Sequence, residues 1–470
     1  MIPFEKGQDE FANDIREYAG INFNTCLHCK SCTNGCPFLE GMDYAPNAVI
    51  RLVQLGQEEA ALNSSTIWVC VGCNTCSSCC PMAIDIPAVM DGLRKKALEK
   101  KIKVPEPDIL NFHTQVLNTI KKYGRNHKLE IMMRYKLKKM DFLSDMGLGL
   151  KMLKKRKLDL TPSKIQDKSA IEKLFRKKNS SRKNNSRSKR LQFTFFPGCS
   201  LKASGHENTL SLLKFCELVN IELTELEDWN CCGSSSAHSI DLDLAEKLPM
   251  RNISLAPKGV SLLIACPSCF VRMKSMYLKL KSDKQLRQKY EDLWGKSFDE
   301  TLEIIPFFEI FNRIDIKDHI ERPKEKLKQL KVAPYYGCML AMPPDLRFEK
   351  SYAGVLEKTL GALGADVICF GYGTRCCGTY LSVAKPRVAQ KVVNEIIFKA
   401  MEAGAECMVT ACAMCHLNLE IRCSLENPIP ILHFSELLSM ALGEADRKKW
   451  FPRHIVNPVP LLKKRGLISS

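Results

Sequence analysis

Ten cysteines of this chain fall into two copies of one pattern. In each copy a single cysteine is followed by an adjacent pair with a glycine, and then by a Cys-x2-Cys. The first cysteine set is Cys199, Cys231, Cys232, Cys266 and Cys269, and the second cysteine set is Cys338, Cys376, Cys377, Cys412 and Cys415. Five thiolates are one more than a cubane iron–sulfur cluster or a tetrahedral zinc ion needs. The pattern therefore indicates more than structural metal binding.

Two further cysteine runs precede these sets and have the Cys-x2-Cys-x2-Cys-x3-Cys-Pro spacing of bacterial ferredoxins. The first ferredoxin run is Cys26, Cys29, Cys32 and Cys36, and the second ferredoxin run is Cys70, Cys73, Cys76 and Cys80. Such a run lets one tight loop hold three corners of a cubane cluster, while the fourth cysteine can ligate the partner cluster instead. Cys79 lies beside Cys80, and spacing alone favours Cys80 as the ligand. These runs predict two cubane 4Fe-4S clusters.

The 23 cysteines occur in a chain of 470 residues. A disulfide framework is disfavoured, because such frameworks belong to small secreted domains, whereas clustered Cys-x2-Cys spacings in a large chain favour metal. No stretch approaches the ~18 uninterrupted apolar residues of a membrane helix, and the first residues lack the layout of a signal peptide. We therefore expect a soluble cytoplasmic protein.

The formal charge of +18 is concentrated in one segment, since residues 121–190 hold 24 Lys or Arg against 6 Asp or Glu. The pattern to about residue 160 predicts basic helices, and residues 177–190 have almost no apolar residue and read as a linker. A solvated helix with a tether explains this segment, and docking on an acidic partner or a membrane surface is the alternative. Nucleic-acid binding is disfavoured, because no aromatic platform accompanies the charge.

Strands alternate with helices after residue 191, and the order occurs twice. The pattern predicts strands over 191–196 and from 332, followed by helices over 210–219 and 352–363. Strands over 260–265 and 406–411 end directly at a Cys-x2-Cys, which is where open α/β folds place ligands. The adjacent cysteines can serve one cluster only if the backbone turns sharply, and Gly233 and Gly378 permit that turn. The repeat indicates an internal duplication.

These patterns together predict an α+β multidomain protein. We expect an α-helical ferredoxin domain with two 4Fe-4S clusters over residues 1–105, and a basic helical connector with a flexible linker over 106–190. Two pseudo-symmetric α/β, Rossmann-like subdomains are expected over 191–330 and 331–470, the second with a C-terminal tail.

The motifs resemble those of heterodisulfide reductase, with its C and B subunits fused in that order. Residues 196–202 (Phe-Pro-Gly-Cys-Ser-Leu-Lys), 335–341 (Tyr-Tyr-Gly-Cys-Met-Leu-Ala) and 412–418 (Cys-Ala-Met-Cys-His-Leu-Asn) look like signatures of the cysteine-rich CCG domains of the B subunit, and residues 67–70 (Ile-Trp-Val-Cys) resemble the C subunit. The resemblance implies two noncubane four-iron clusters, one on each cysteine set, beside the two cubane clusters. It also places these ten cysteines at a catalytic centre that reduces a disulfide such as that of coenzyme M and coenzyme B.

Cleavage of a disulfide takes two electrons, whereas ferredoxin clusters pass one at a time. We therefore hypothesise that electrons move through the N-terminal clusters and that the disulfide is cleaved between the two noncubane clusters. No flavin or nicotinamide fingerprint is present, so the electrons would come from a flavin-containing protein, of an electron-bifurcating or simpler kind, or from a membrane cytochrome b.

Two other functions remain open. The chain could be an electron-transfer subunit of a flavin-dependent hydroxy-acid or glycerol-3-phosphate dehydrogenase, although those relatives commonly lack a cysteine in one repeat and both sets are complete here. A zinc-stabilised binding module that uses the basic segment is the third possibility.

A few other residues stand close to the motifs. Lys202 and Arg375 flank set cysteines and could meet an anionic substrate group, or they could compensate the charge of a cluster or form surface ion pairs. His416 could supply protons to a new thiolate, or it could be a packing or hydrogen-bonding residue. Cys216 and Cys407 lie among apolar neighbours and are expected to be small core residues.

Overall fold

The structure is a computed structural model that describes residues 8–141, 144–175, 191–234, 236–320, 325–341, 352–443 and 447–468. The linker predicted over 177–190 lies outside the described residues. The fold is mixed α/β, with a helical N-terminal region and two four-stranded parallel sheets. Within the described part of the chain, no helix combines the length and the apolar character that crossing a bilayer requires.

The N-terminal region is built from short helices around the ferredoxin runs. Its helices are α1 (Gln8–Ala19), α2 (Ser31–Asn34), α3 (Pro46–Gln54), α4 (Glu58–Leu62), α5 (Thr66–Val69), α6 (Thr75–Ser78) and α7 (Ile86–Glu99). Helix α3 buries Val49, Ile50 and Val53 against the core, and the spacing of these residues places them on one face of the helix. Gly56 follows it with φ +64°, a conformation that costs glycine little.

The basic segment is more than a solvated tether. Its helices are α8 (Pro107–Tyr123), α9 (Lys128–Lys139), α10 (Met146–Lys154) and α11 (Lys168–Phe175). Ile131 and Leu174 of the basic segment, together with Val116 and Ile120 just before it on α8, join one hydrophobic core with the first sheet. The prediction of a solvated helix is therefore wrong for this part, because these apolar side chains remove their surface from water by packing.

The first sheet has the strand order β2-β1-β3-β4, and all its neighbouring strands are parallel. Its strands are β1 (Leu191–Phe196), β2 (Ile221–Glu225), β3 (Leu262–Ile264) and β4 (Ile304–Pro306). The helices of this half are α12 (Gly198–Lys202), α13 (His206–Leu218), α14 (Ala237–Ile240), α15 (Leu242–Leu255), α16 (Pro267–Ser282), α17 (Lys284–Trp294) and α18 (Ile310–Arg313). Strand β3 is buried throughout, which fits a short apolar run inside a parallel sheet.

The second sheet repeats this arrangement with the order β6-β5-β7-β8, again all parallel. Its strands are β5 (Lys331–Tyr335), β6 (Asp366–Val367), β7 (Cys407–Thr410) and β8 (Ile431–His433). The helices of this half are α19 (Cys338–Ala341), α20 (Val355–Ala362), α21 (Pro386–Glu402), α22 (Ala413–Arg422), α23 (Phe434–Ala441), α24 (Arg447–Trp450) and α25 (Val459–Lys464). Equal strand order in both halves agrees with the duplicated cysteine pattern.

Three hydrophobic cores connect these parts of the fold. One core joins the N-terminal helices to the second sheet, through residues such as Trp68 and Met408. Another joins the two sheets, through residues such as Leu263 and Val409. The third joins the first sheet to the basic helices. The N-terminal region therefore packs on the second half of the duplication, and the basic helices pack on the first half.

Candidate iron–sulfur centre

The first cysteine set converges at the carboxyl ends of β1, β2 and β3. Cys266 caps the N-terminus of α16, and Cys269 lies in that helix one turn later. The Sγ atoms of Cys232 and Cys269 are 3.1 Å apart. Gly233 has φ +80°, which makes the turn after the cysteine pair that the sequence predicts. A Cβ on this glycine would lie 2.9 Å from Leu248 Cδ1, so a side chain would not fit.

The second cysteine set has the same layout. Cys412 caps the N-terminus of α22, which carries Cys415. The Sγ atoms of Cys377 and Cys415 are 3.5 Å apart, and Gly378 has φ +75°. The two halves of the duplication thus bring equivalent sulfur atoms together at equivalent strand ends.

Burial and mutual contact shift the pKa values of these thiols. A contact with Cys199 raises the pKa of Cys231, and a contact with Cys231 lowers that of Cys232. In the second set a contact with Cys415 lowers the pKa of Cys377 to about 7, against the effect of burial. Five thiols this close, all of them buried except Cys199, cannot all ionise unless a cation offsets their charge. The donor set therefore fits iron, which binds thiolate and would supply that charge.

The lone buried cysteines behave differently. Cys216 and Cys407 are buried in the core between the two sheets, and desolvation raises the pKa of each thiol. An apolar setting of this kind is typical of an inert cysteine, as the sequence predicts for both.

The ferredoxin runs exchange their fourth cysteines. Cys80 of the second run lines one pocket with Cys26, Cys29 and Cys32 of the first run. The charge of Cys36 instead interacts with the thiols of the second run, including Cys73. This geometry agrees with the spacing argument that the cysteine before proline serves the partner cluster.

We expect substitution of Cys80 to lower the iron content and substitution of Cys79 to leave it unchanged. Cys80→Ser should remove about four iron atoms per chain, because Cys80 would complete the sulfur set around one cubane cluster. Cys79→Ser is the matched control, since Cys79 is exposed and does not line that pocket. Iron and acid-labile sulfide analysis of both variants distinguishes them, and iron loss in Cys79→Ser alone would contradict the assignment.

The cysteine groups lie near one another in a fixed order. The thiol of Cys73 in the second ferredoxin run interacts with that of Cys376 in the second set. The thiol of Cys412 in the second set interacts with that of Cys266 in the first set. Clusters held by these residues would lie in the order second ferredoxin run, second set, first set.

A cleft of about 580 Å³ ends at the first cysteine set. All five cysteines of this set line it, whereas the second half contributes residues such as Thr379, Tyr380, Met414, Leu417 and Asn418. Helices α9 and α10 form the opposite wall with apolar side chains. The cleft thus opens the first set to the outside and is mostly apolar.

Four residues near the sets were missed by the sequence analysis. Gly198 and Gly337 precede the first cysteine of each set with φ +74° and +68°, and a Cβ there would lie 3.0 Å and 3.1 Å from the Sγ atoms of Cys269 and Cys415. The repeated Gly-Cys pair in both halves was the available signal.

Lys128 and Arg125 are the other two, and they bring positive charge to the first set. Burial lowers the pKa of Lys128 to about 8, against the charges of Cys199 and Cys266, and its side chain lines the cleft. The guanidinium of Arg125 lies 3.9 Å from the ring centroid of Trp229. No motif marks either residue, because the basic segment lies far from the set in sequence.

Lys202, Arg375 and His416, which could act on a substrate, each contact another side chain of the protein. Lys202 Nζ lies 2.5 Å from Glu225 Oε2, and Arg375 lies 3.0 Å from Glu395 Oε2. His416 is buried, and its Nδ1 lies 3.0 Å from Asn208 Oδ1. The two cations form surface ion pairs, and the histidine is a buried hydrogen-bonding residue.

The chain matches known iron–sulfur modules over about half of its length. Residues 25–85 match the 4Fe-4S dicluster domain, and residues 193–274 and 332–420 each match the cysteine-rich domain. The matches coincide with the ferredoxin runs and with the two cysteine sets. They identify an iron–sulfur protein.

Several curated proteins are similar to parts of the chain. The 8-methylmenaquinol:fumarate reductase membrane anchor subunit of Wolinella succinogenes is 29% identical over 57% of this chain and 99% of its own length. The B subunit of the ferredoxin/F420H2-dependent CoB-CoM heterodisulfide reductase of Methanosarcina acetivorans is 24% identical over 59% of this chain and 98% of its own length. The B subunit of the fumarate reductase (CoM/CoB) of Methanothermobacter marburgensis is 20% identical over 89% of this chain and 72% of its own length.

The C subunit of a heterodisulfide reductase of Methanothermobacter marburgensis is also similar, with 27% identity over 20% of this chain and 52% of its own length. A hypothetical protein from Helicobacter pylori has a similar solved structure, with a TM-score of 0.54 at 12% identity over 96% of this chain and 76% of that one. The last likeness concerns the fold alone. The chain is thus an iron–sulfur oxidoreductase that is similar to the B and C subunits of heterodisulfide reductases, and a dicluster region and a pair of cysteine-rich domains share its one polypeptide.

Proposed function

We propose that this oxidoreductase reduces a disulfide to two thiols at the inner end of the cleft. The observation that carries the proposal is that the cleft reaches Cys266, whose thiol interacts with that of Cys412. A disulfide that reaches this point would lie where the two cysteine sets meet. This position agrees with the hypothesis that the bond is cleaved between two noncubane clusters.

The balance of the reaction is simple. The sulfur–sulfur bond takes up two electrons and two protons, and two thiols leave. The four clusters that we propose, two cubane and two noncubane, would supply the electrons one at a time. Apolar walls of the cleft would bind the arms of the substrate and exclude water. The ammonium of Lys128 would stabilise a departing thiolate beside the first set.

A tryptophan in the cleft tests this site. Leu417→Trp should raise KM for a reducible disulfide by about tenfold, because overpacking a fitted site costs about 1–3 kcal/mol. The assay uses the full chain with a reduced viologen dye as electron donor. Reduction of the clusters by the dye should remain unchanged, since the substitution touches no cysteine.

Leu213→Trp is the matched control, because Leu213 is exposed on α13 and does not line the cleft. Equal KM values for both variants would contradict binding in the cleft. A wild-type chain with reducible clusters and no activity on any disulfide would refute the function itself.

The second candidate is an electron-transfer subunit of a flavin-dependent dehydrogenase or reductase. The similarity to fumarate reductase subunits favours it. In that case the clusters would be reduced or oxidised by a partner, with no chemistry in the cleft. The viologen assay separates the two functions, because only the first predicts thiol release.

The electron donor would be a flavin-containing protein or a membrane cytochrome b, as the resemblance implies. Native purification of the full chain under anaerobic conditions tests both partners. Flavin fluorescence in the purified complex supports the first, and haem absorbance supports the second. A chain that copurifies with neither chromophore and still receives electrons in cell extract would refute both.

A further inference from the structure

Large apolar side chains are exposed on one face of the basic helices. In the described residues, seven of the thirteen large hydrophobic side chains that are exposed lie between residues 133 and 160. They are Met133, Leu137, Met140, Met146, Leu150, Leu153 and Leu160, with exposures from 40% to 83%. Such a concentration in one segment marks an interaction surface rather than scattered exposed residues.

Positive charge accompanies this apolar face. Residues 131–160 hold nine Lys or Arg against three Asp. Lys138, Lys151 and Lys154 are exposed on the same two helices. Lysine side chains of this length can lie along an apolar surface and place the ammonium among anionic groups. Apolar residues mixed with Lys and Arg are the composition of helices that lie at the surface of a bilayer.

The cleft opens at the same place. Met133, Leu137, Met146, Leu150 and Leu153 are both exposed and part of the cleft wall. Met140 and Leu160 are exposed but do not line the cleft, so the apolar face extends beyond its mouth. A flat anionic surface would contact this face and the mouth together.

We propose that the exposed face of α9, α10 and the segment to Leu160 docks on an anionic lipid bilayer, with the mouth of the cleft against the lipid. We call this face the docking face. Its apolar side chains enter the boundary between headgroups and acyl chains, and its lysines contact anionic headgroups. Docking needs no transmembrane helix. The cleft then receives amphiphilic molecules directly from the bilayer. This inference rests on the proposed function and deepens it, because a cleft in this position favours substrates with an apolar arm.

Vesicle flotation tests the docking face. The full chain with its clusters should float with vesicles of phosphatidylglycerol and phosphatidylcholine, and much less with phosphatidylcholine alone. High salt should weaken flotation, because ionic screening reduces the attraction of lysines to headgroups. Wild-type protein that stays in the soluble fraction with anionic vesicles would overturn the proposal and favour a protein partner for this face.

Two double variants separate the apolar contribution from a general effect of surface change. Met140→Ser with Leu160→Ser should weaken partition into anionic vesicles by at least about tenfold, since each substitution removes apolar surface that membrane insertion would take out of water. Neither residue lines the cleft, so iron content and activity on a water-soluble disulfide should stay unchanged.

Leu213→Ser with Phe398→Ser is the matched control, because both residues are exposed and apolar but lie on α13 and α21. This control should float like the wild type. Equal flotation of the two double variants would overturn the docking face. A chain that floats but reduces no disulfide would refute the proposed function and leave the docking intact.

Discussion

Replacing Cys376 with alanine should abolish the disulfide reduction that we propose and remove the cluster that we propose for the second cysteine set. Cys376 is buried, and its thiol interacts with Cys338 of the same set and with Cys73 of the second ferredoxin run. Its loss would leave four sulfur atoms where the set provides five, at the point where electrons would enter the set. Even residues that only support metal ligands cost 10–100-fold on mutation, so we expect at least a ~100-fold loss of turnover.

Three measurements check this expectation on anaerobically purified protein. Iron analysis should fall by about four atoms per chain, electron paramagnetic resonance should lose one signal, and turnover with reduced viologen should disappear. Cys407→Ala is the matched control, because Cys407 is equally buried but lies in the core between the sheets. Full activity of Cys376→Ala, or equal iron loss in the control, would contradict the assignment.

Replacing Lys157 with methionine should destabilise the fold by about 3–5 kcal/mol, which is the typical cost of breaking a buried ion pair. Lys157 is fully buried, and its ammonium contacts Glu207 Oε1 and lies 3.8 Å from Glu420 Oε2. Glu207 belongs to α13 in the first half of the duplication, and Glu420 belongs to α22 in the second half. Without the lysine, two buried carboxylates lose the cation that lies between them.

Lys154→Met is the control for this variant, because Lys154 is exposed three residues earlier. Urea unfolding, followed by circular dichroism under anaerobic conditions, should give a free energy of unfolding near that of the wild type for the control and a much lower one for Lys157→Met. Equal values for the two variants would show that the buried pair contributes little. Arg453 still contacts Glu207 at 3.1 Å, which places the expected effect toward the lower end of the range.

The sequence predicts local structure around the cysteines better than it predicts how distant parts meet. Strand ends at Cys266 and Cys412 follow from short apolar runs that stop at a Cys-x2-Cys, and the turns at Gly233 and Gly378 follow from the geometry of adjacent cysteines. These features depend on neighbours in the chain. They could therefore be predicted, and the structure contains them.

The contacts between modules could not be predicted in this way. Nothing near Cys73 indicates that it meets Cys376, and nothing near Lys128 indicates that it approaches the first set. Both contacts depend on tertiary packing of segments far apart in the chain, which a periodic pattern does not encode. The basic segment shows the same limit, because its charge suggested a solvated tether while its apolar residues build a core with the first sheet.

The exchange of fourth cysteines between the ferredoxin runs ties cofactor assembly to biosynthesis. The pocket formed by Cys26, Cys29, Cys32 and Cys80 takes its sulfur atoms from both runs. The ribosome must therefore synthesise the whole region before this pocket is complete. A half-made chain would offer incomplete ligand sets, to which iron binds weakly and reversibly. Delivery of iron and sulfide in the cell would therefore act on the fully synthesised region rather than on the emerging peptide. Cells starved of iron should then accumulate protein in which both cluster sites of this region are empty together.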